Sequence, residues 1–200
     1  MNIKSILILA ALVIGAASHA ANEPAGAPST AAEKDAKQRD SANVTSAQRA
    51  SQSAHQAAVA AEAAARKAEQ SIGDFSQSAA QTINRLAQKT AEIARRAQQK
   101  IREATLKSTG ETRDAALKAE DAAEKAVLAT EEAAGKAADS ARQAATAAKE
   151  DAIKAAQATR EALQRAGEAT RAAAQATKES ADRAMVAGRK QMQKGSDAKQ

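Results

Sequence analysis

The chain has 200 residues, with 30 Lys or Arg and 24 Asp or Glu, and carries a formal net charge of +6. It contains one Phe and no Trp, Tyr or Cys, and alanine supplies most of the apolar residues. The lack of cysteine excludes disulfides, thiolate nucleophiles and thiolate metal sites. The scarcity of large apolar side chains excludes a thick core, because a buried methyl stabilises by about 0.8 kcal/mol and a buried Leu by about 1.5–3 kcal/mol.

Residues 1–20 have the pattern of a secretory signal peptide. Lys4 precedes an uncharged, mostly apolar run, and Ser18-His19-Ala20 places small residues three and one before a predicted cleavage after Ala20. The apolar run is shorter than the about 20 residues of a spanning helix, which favours cleavage over an anchor. No lipobox Cys follows, and no later run could span a membrane. We therefore expect an exported protein, in the periplasm or outside the cell.

The mature chain divides by composition. Residues 21–40 hold both prolines, Pro24 and Pro28, and are predicted to form a disordered leader. The rest, up to Gln193, has no Pro and is rich in Ala, Glu, Lys, Arg and Gln, the strong helix formers. The predicted elements are a first helix over 41–108 with a candidate break at Gly73, a second helix over 112–194 and a disordered tail over 195–200.

Both predicted helices carry an apolar stripe that recurs about every 3.6 residues, the period of an amphipathic helix. In the second helix the stripe, from Ala115 to Ala187, is almost entirely alanine, and most charges lie on the opposite face. In the first helix it includes the larger side chains. These form the predicted helix-packing seam: Ile72, Phe75, Ile83, Leu86, Ile93 and Ile101.

The best candidate turn is Gly110, in the polar stretch Lys107–Asp114. Glycine tolerates the left-handed conformation that ends many helices, and Thr112 can cap the next one. Gly73-Asp74 is a second candidate, where Asp74 and Gln77 have capping-box spacing.

A turn at Gly110 predicts an antiparallel helical hairpin. Pairing positions that sum to about 220 sets Ile101 near Ala119, Ile93 near Val127 and Ile83 near Ala137, so that large residues meet small ones. This complementarity favours the hairpin over the alternative, one near-continuous helix in an oligomeric coiled coil. Both belong to the all-α class.

The sequence shows no catalytic, cofactor-binding or metal site. His55 has no Cys, Asp or Glu at ligand spacing, and nothing shields the pairs Glu131-Glu132 and Glu150-Asp151 from water. Ala133–Lys136 lacks the upstream glycine and following Ser or Thr of a phosphate loop. We expect no enzyme and no cofactor.

The basic balance favours a polyanion partner only weakly. Acidic residues are mixed among the cations and stacking aromatics are missing, so nucleic acid is an unlikely partner. A group of cations near the C-terminus is expected to interact favourably with the negative end of the helix dipole. The alternative is a weak contact of these cations with an anionic membrane surface. That group is Arg183, Arg189, Lys190, Lys194 and Lys199.

Three segments, 146–157, 159–169 and 170–180, read TAAKEDAIKAAQ, TREALQRAGEA and TRAAAQATKES. They resemble the 11-residue helical repeats of group 3 late-embryogenesis-abundant proteins, and are similar in texture to alanine-zipper envelope proteins and apolipoprotein-like helices. The continuous apolar stripes and the signal peptide favour a structural or interaction element of the envelope, with self-association or another helical envelope protein as partner. The resemblance implies the alternative of an exported stress-protection protein that folds on drying or on a membrane.

Overall fold

The computed structural model describes residues 31–71, 76–146 and 149–197, and within these ranges every regular element is a helix. The all-α prediction is therefore confirmed. The predicted signal peptide, with its cleavage position Ala20, lies outside the described residues. The elements, in chain order, are α1 (Ala31–Gln70), α2 (Gln77–Lys107), a single 3₁₀ turn (Gly110–Thr112), α3 (Arg113–Thr146) and α4 (Lys149–Asp197).

The four helices form an up-down-up-down bundle in which each helix packs against two antiparallel neighbours. Between α1 and α2, the Thr90 hydroxyl donates to the Ala60 carbonyl at 3.3 Å, and Lys107 Nζ donates to Ser46 Oγ at 3.0 Å. Rising positions on one helix therefore meet falling positions on the other. The side-chain contacts between α2 and α3, α3 and α4, and α4 and α1 show the same reversal.

The predicted second helix over 112–194 is wrong, because the structure has two antiparallel helices there, α3 and α4. Thr159 of α4 donates to the Lys136 carbonyl of α3 at 3.0 Å, so the chain has reversed between them. The second arm of the predicted hairpin is therefore itself a pair of antiparallel helices. No Pro or Gly marks the site of this reversal, and local propensity favours a helix throughout. The reversal lets the alanine face of α4 pack on α3 and α1, since tertiary packing outweighs propensity.

The predicted first helix over 41–108 is also two helices, α1 and α2, which end and begin on either side of the candidate break. Gly73 and Asp74 lie outside the described residues. The N-cap of α2 is Ser76, whose hydroxyl accepts a hydrogen bond from the Ala79 N–H at 3.2 Å, and not Asp74.

The helical region is longer at both ends than its composition predicted. α1 begins at Ala31, ten residues inside the predicted leader, because the chain after Pro28 contains strong helix formers and no further proline. α4 continues to Asp197, three residues into the predicted tail.

The core is a thin seam of alanines and a few larger residues, and the predicted pairings recur in it. Ile101 and Ala119 lie in one buried cluster, Ile83 and Ala137 lie in another, and Ile93 packs against the cluster that contains Val127. Leu86 is partly buried against the Ile83 cluster. Of the other two predicted seam residues, Ile72 and Phe75, nothing is described.

The fully buried positions are unusually polar for a core. The six largest fully buried side chains among the described residues are Ile101, Leu163, Thr130, Thr159, Thr170 and Ser140. The Thr130 and Thr170 hydroxyls bond to carbonyls of their own helix, so they are buried without an unpaired donor. Small side chains of this kind let neighbouring helices approach closely.

Candidate interaction surface

Gly110 lies at the reversal between α2 and α3, where the sequence predicts a turn. Its φ of 52° is in the left-handed region, where a side chain is strained. Thr112 does not cap α3 in the predicted way. Its hydroxyl donates to the Thr109 carbonyl at 2.8 Å and accepts from the Thr109 N–H at 3.3 Å, which closes the turn on itself.

The residues weighed as possible chemical groups are dispersed over the bundle. His55 is exposed on α1. Glu131 pairs with Arg95 of α2 at 2.7 Å, whereas its neighbour Glu132 pairs with Arg165 of α4 at 3.2 Å. Glu150 pairs with Lys154 within α4 at 3.1 Å. In the described ranges no three His, Asp or Glu side chains are grouped as ligands for a metal ion.

Cavities in the described part of the chain do not enclose a set of converging polar groups. An open groove of about 520 Å³ between α3 and α4 carries two Lys and two Asp, all on the surface. A much smaller space at the bundle centre is lined by alanines with Ile101 and Thr170. Of these two spaces in the described residues, the first is an open polar groove and the second is an apolar gap.

Ion pairs tie adjacent helices along their edges. Arg102 of α2 meets Glu120 of α3 at 3.0 Å, and Arg160 of α4 meets Glu69 of α1 at 3.0 Å. Such exposed pairs contribute little individually, about 0–1 kcal/mol, but they fix which neighbour each helix face meets.

Glu62 of α1 contacts two arginines, Arg171 of α4 and Arg66 of its own helix. The Arg171 guanidinium of α4 donates to Glu62 Oε1 through Nε at 3.2 Å and through Nη2 at 2.8 Å. These hydrogen bonds and the positive charge of Arg171 lower the pKa of the Glu62 carboxyl, and Arg66 at 3.7 Å lowers it further. The acidic groups of α1 at Glu62 and Glu69 are thus engaged on its α4 side.

The remaining charges are unevenly distributed, and α2 is the basic helix. It carries seven Lys or Arg and two Glu, Glu92 and Glu103. Two of its cations, Arg95 and Arg102, are paired with α3. The other five are exposed, and four of them form one row, because at about 100° per residue they lie within about 40° of one another. This basic row consists of Lys89, Arg96, Lys100 and Lys107.

The basic row runs along the side of α2 next to α1. Lys107 fixes its direction, because it reaches Ser46 of α1. The row is about 27 Å long at 1.5 Å per residue. In the described residues, Glu103 is the acid that pairs with it, through Lys100 at 3.2 Å.

α1 extends the same face with more positive charge. Ala60 and Ser46 are the α1 residues that α2 contacts. Lys67 is seven residues, or two helical turns, after Ala60, and Arg49 is about one turn after Ser46, so both lie on the side of α1 next to α2. Both are exposed. We call the surface formed by Arg49, Lys67 and the basic row the α1–α2 face. Sequence analysis missed it, although the 7-4-7 spacing of the row was a usable signal.

None of the exposed large apolar side chains of the described residues lies in the basic row, and Val59 on α1 lies about 80° around that helix from Lys67. Leu106 is 80 % exposed and lies about 100° around α2 from Lys107. Leu117 and Leu128 are exposed on α3. Among the described residues, no helix is long and apolar enough to cross a membrane.

No protein family, curated protein or solved structure matches this chain.

Proposed function

We propose that the protein is an exported, non-enzymatic helical bundle that acts as a structural or interaction element of the periplasm or cell envelope. Export is supported by the pattern of residues 1–20, with cleavage after Ala20. The observation that carries the interaction role is the α1–α2 face, where six exposed cations outnumber the two exposed acids of α2, Glu92 and Glu103.

The bundle suits this role because contacts between its helices hold it in one shape. Buried seams join the four helices, and ion pairs join α2 to α3, α3 to α4 and α1 to α4, so the exposed residues keep fixed positions relative to one another. A surface held in this way binds without first losing the entropy of folding, which a disordered chain must lose on binding.

Circular dichroism of the purified protein in dilute buffer at 25 °C tests the proposal. A folded bundle gives a strongly helical spectrum and one cooperative thermal transition. A disordered spectrum would contradict it. Export is tested separately by N-terminal sequencing of the processed protein, which is expected to begin at Ala21.

A second candidate, a stress-protection protein that folds on drying or on a membrane, is favoured by the character of the core. Four of the six largest fully buried side chains are Thr or Ser, which stabilise less on burial than Leu or Ile. This function requires a disordered spectrum in buffer and a large gain of helix with trifluoroethanol or on drying. The two candidates therefore predict opposite results in one measurement.

A further inference from the structure

We propose that the α1–α2 face binds the surface of an anionic phospholipid bilayer, with the bundle lying flat and its helices parallel to the membrane plane. The inference rests on the proposed function, in which the folded bundle acts through its surface. It identifies the partner of the α1–α2 face by charge.

The charge of the α1–α2 face is the first argument. Lys89 and Arg96 are exposed and have no ion-pair partner among the described residues, and Lys107 is bonded only to the neutral Ser46 hydroxyl. The acids of α1 at Glu62 and Glu69 are bonded to α4 instead. Cations that lack a protein partner can contact lipid phosphates without breaking an existing pair.

The shape of the face is the second argument. Two antiparallel helices side by side present a nearly planar surface, and the basic row follows one of them for about 27 Å. A bilayer is the planar polyanion, and its headgroups move laterally to meet fixed cations. A nucleic-acid duplex curves away from a plane and meets it along one line only. Single strands are bound largely by stacking on aromatic side chains, which the described residues lack.

The mode of binding follows from the apolar residues. None of the described exposed Leu or Val side chains lies in the basic row, and the single Val59 at the edge of α1 buries too little apolar area to anchor the bundle among acyl chains. Binding is therefore electrostatic and peripheral, and the helix content does not change on binding. Salt weakens it, because the screening length falls from about 10 Å at 0.1 M to about 3 Å at 1 M.

The test is sedimentation of the protein with vesicles of equimolar phosphatidylglycerol and phosphatidylcholine, at low salt. We expect binding to these vesicles and none to pure phosphatidylcholine. Each cation near an anionic surface contributes about fivefold in affinity, so the triple variant Lys89→Gln, Arg96→Gln, Lys100→Gln is expected to bind about 100-fold more weakly. Its dichroism spectrum shows whether the fold is retained.

A matched control removes the same charge from another face. Lys118, Lys125 and Lys136 of α3 are exposed, and Asp and Glu residues lie between them in the sequence. Substituting all three with Gln changes the net charge equally and is expected to leave vesicle binding within a few-fold of the original. Equal losses in the two triple variants would overturn the inference, because binding would then follow net charge alone.

Two other results would also overturn it. One is a folded protein that does not bind the anionic vesicles at all. The other is tighter binding to duplex DNA than to the vesicles at the same salt, lost in the α2 triple variant. A protein already disordered in buffer would instead contradict the proposed function, so the two failures are distinguishable.

Discussion

The Thr159 hydroxyl of α4 donates a hydrogen bond to the backbone carbonyl of Lys136 in α3, at 3.0 Å. Thr90 reaches the Ala60 carbonyl of α1 in the same way, and Thr105 reaches the Ala116 carbonyl of α3, each at 3.3 Å. A side chain as short as threonine bridges to a neighbouring backbone only where helices pack very closely. The alanine-rich faces of the bundle therefore pack by close approach, which small residues allow.

Close approach makes the alanine face sensitive to added volume. Ala162 is 1 % exposed, and Ala162→Leu is expected to lower the free energy of unfolding by about 1–3 kcal/mol, because the larger side chain forces the helices apart. Urea unfolding measures the change. The control is Ala172→Leu on the exposed face of the same helix, expected within about 0.5 kcal/mol of the original. A neutral Ala162→Leu would show that the interface has room to spare.

The few large core residues carry a disproportionate share of the stability. Leu163 is fully buried in the cluster with Ile83, and Leu163→Ala is expected to cost about 2–5 kcal/mol. Leu128, 61 % exposed on α3, provides the matched change, and Leu128→Ala is expected to cost less than about 0.5 kcal/mol. Equal urea midpoints for the two variants would contradict the packing described for Leu163.

The sequence predicts some levels of this structure well and others poorly. Periodicity identifies the helices, and the turn at Gly110 sets the register that places Ile101 near Ala119. It does not identify the reversal between Thr146 and Lys149, since alanine, lysine and threonine there are compatible with a continuous helix. The basic row was hidden by the near balance of charge along the chain, because only the fold shows which helix faces are adjacent.

Replacing glycine by alanine is expected to change the stability in opposite directions at Gly110 and at Gly135. Gly110→Ala is expected to destabilise by about 1–2 kcal/mol, because its φ of 52° disfavours a side chain. Gly135→Ala in α3 is expected to stabilise by about 1 kcal/mol, because the added methyl meets nothing within 4 Å and alanine is the better helix former. Thermal melts of the two variants give the signs. Stabilisation by Gly110→Ala would mean that the turn has another conformation in solution.

The contact between Glu62 and Arg171 predicts a pH dependence. Because the pKa of Glu62 is lowered in the folded state, its contribution to stability is fully present above the ordinary Glu pKa of about 4.3 and is lost as the pH falls through the lowered value. Arg171→Ala is expected to raise the pKa of Glu62, measured by NMR titration of the carboxyl carbon. Arg66→Ala, which removes a weaker contact, is expected to raise it less. The reverse ranking would contradict the geometry.

The folding of α4 back onto α3 is the central structural claim, and one distance tests it most directly. Lys118 and Lys178 are exposed, and the register of the Thr159–Lys136 and Arg165–Glu132 contacts places them at about the same level of the bundle. The chain has no cysteine of its own. The double variant Lys118→Cys, Lys178→Cys can therefore be spin-labelled at these two positions alone. Pulsed electron paramagnetic resonance is expected to give a distance under about 30 Å, since neighbouring helix axes lie about 8–10 Å apart. A distance near 90 Å, the length of a continuous 60-residue helix at about 1.5 Å per residue, would contradict the bundle.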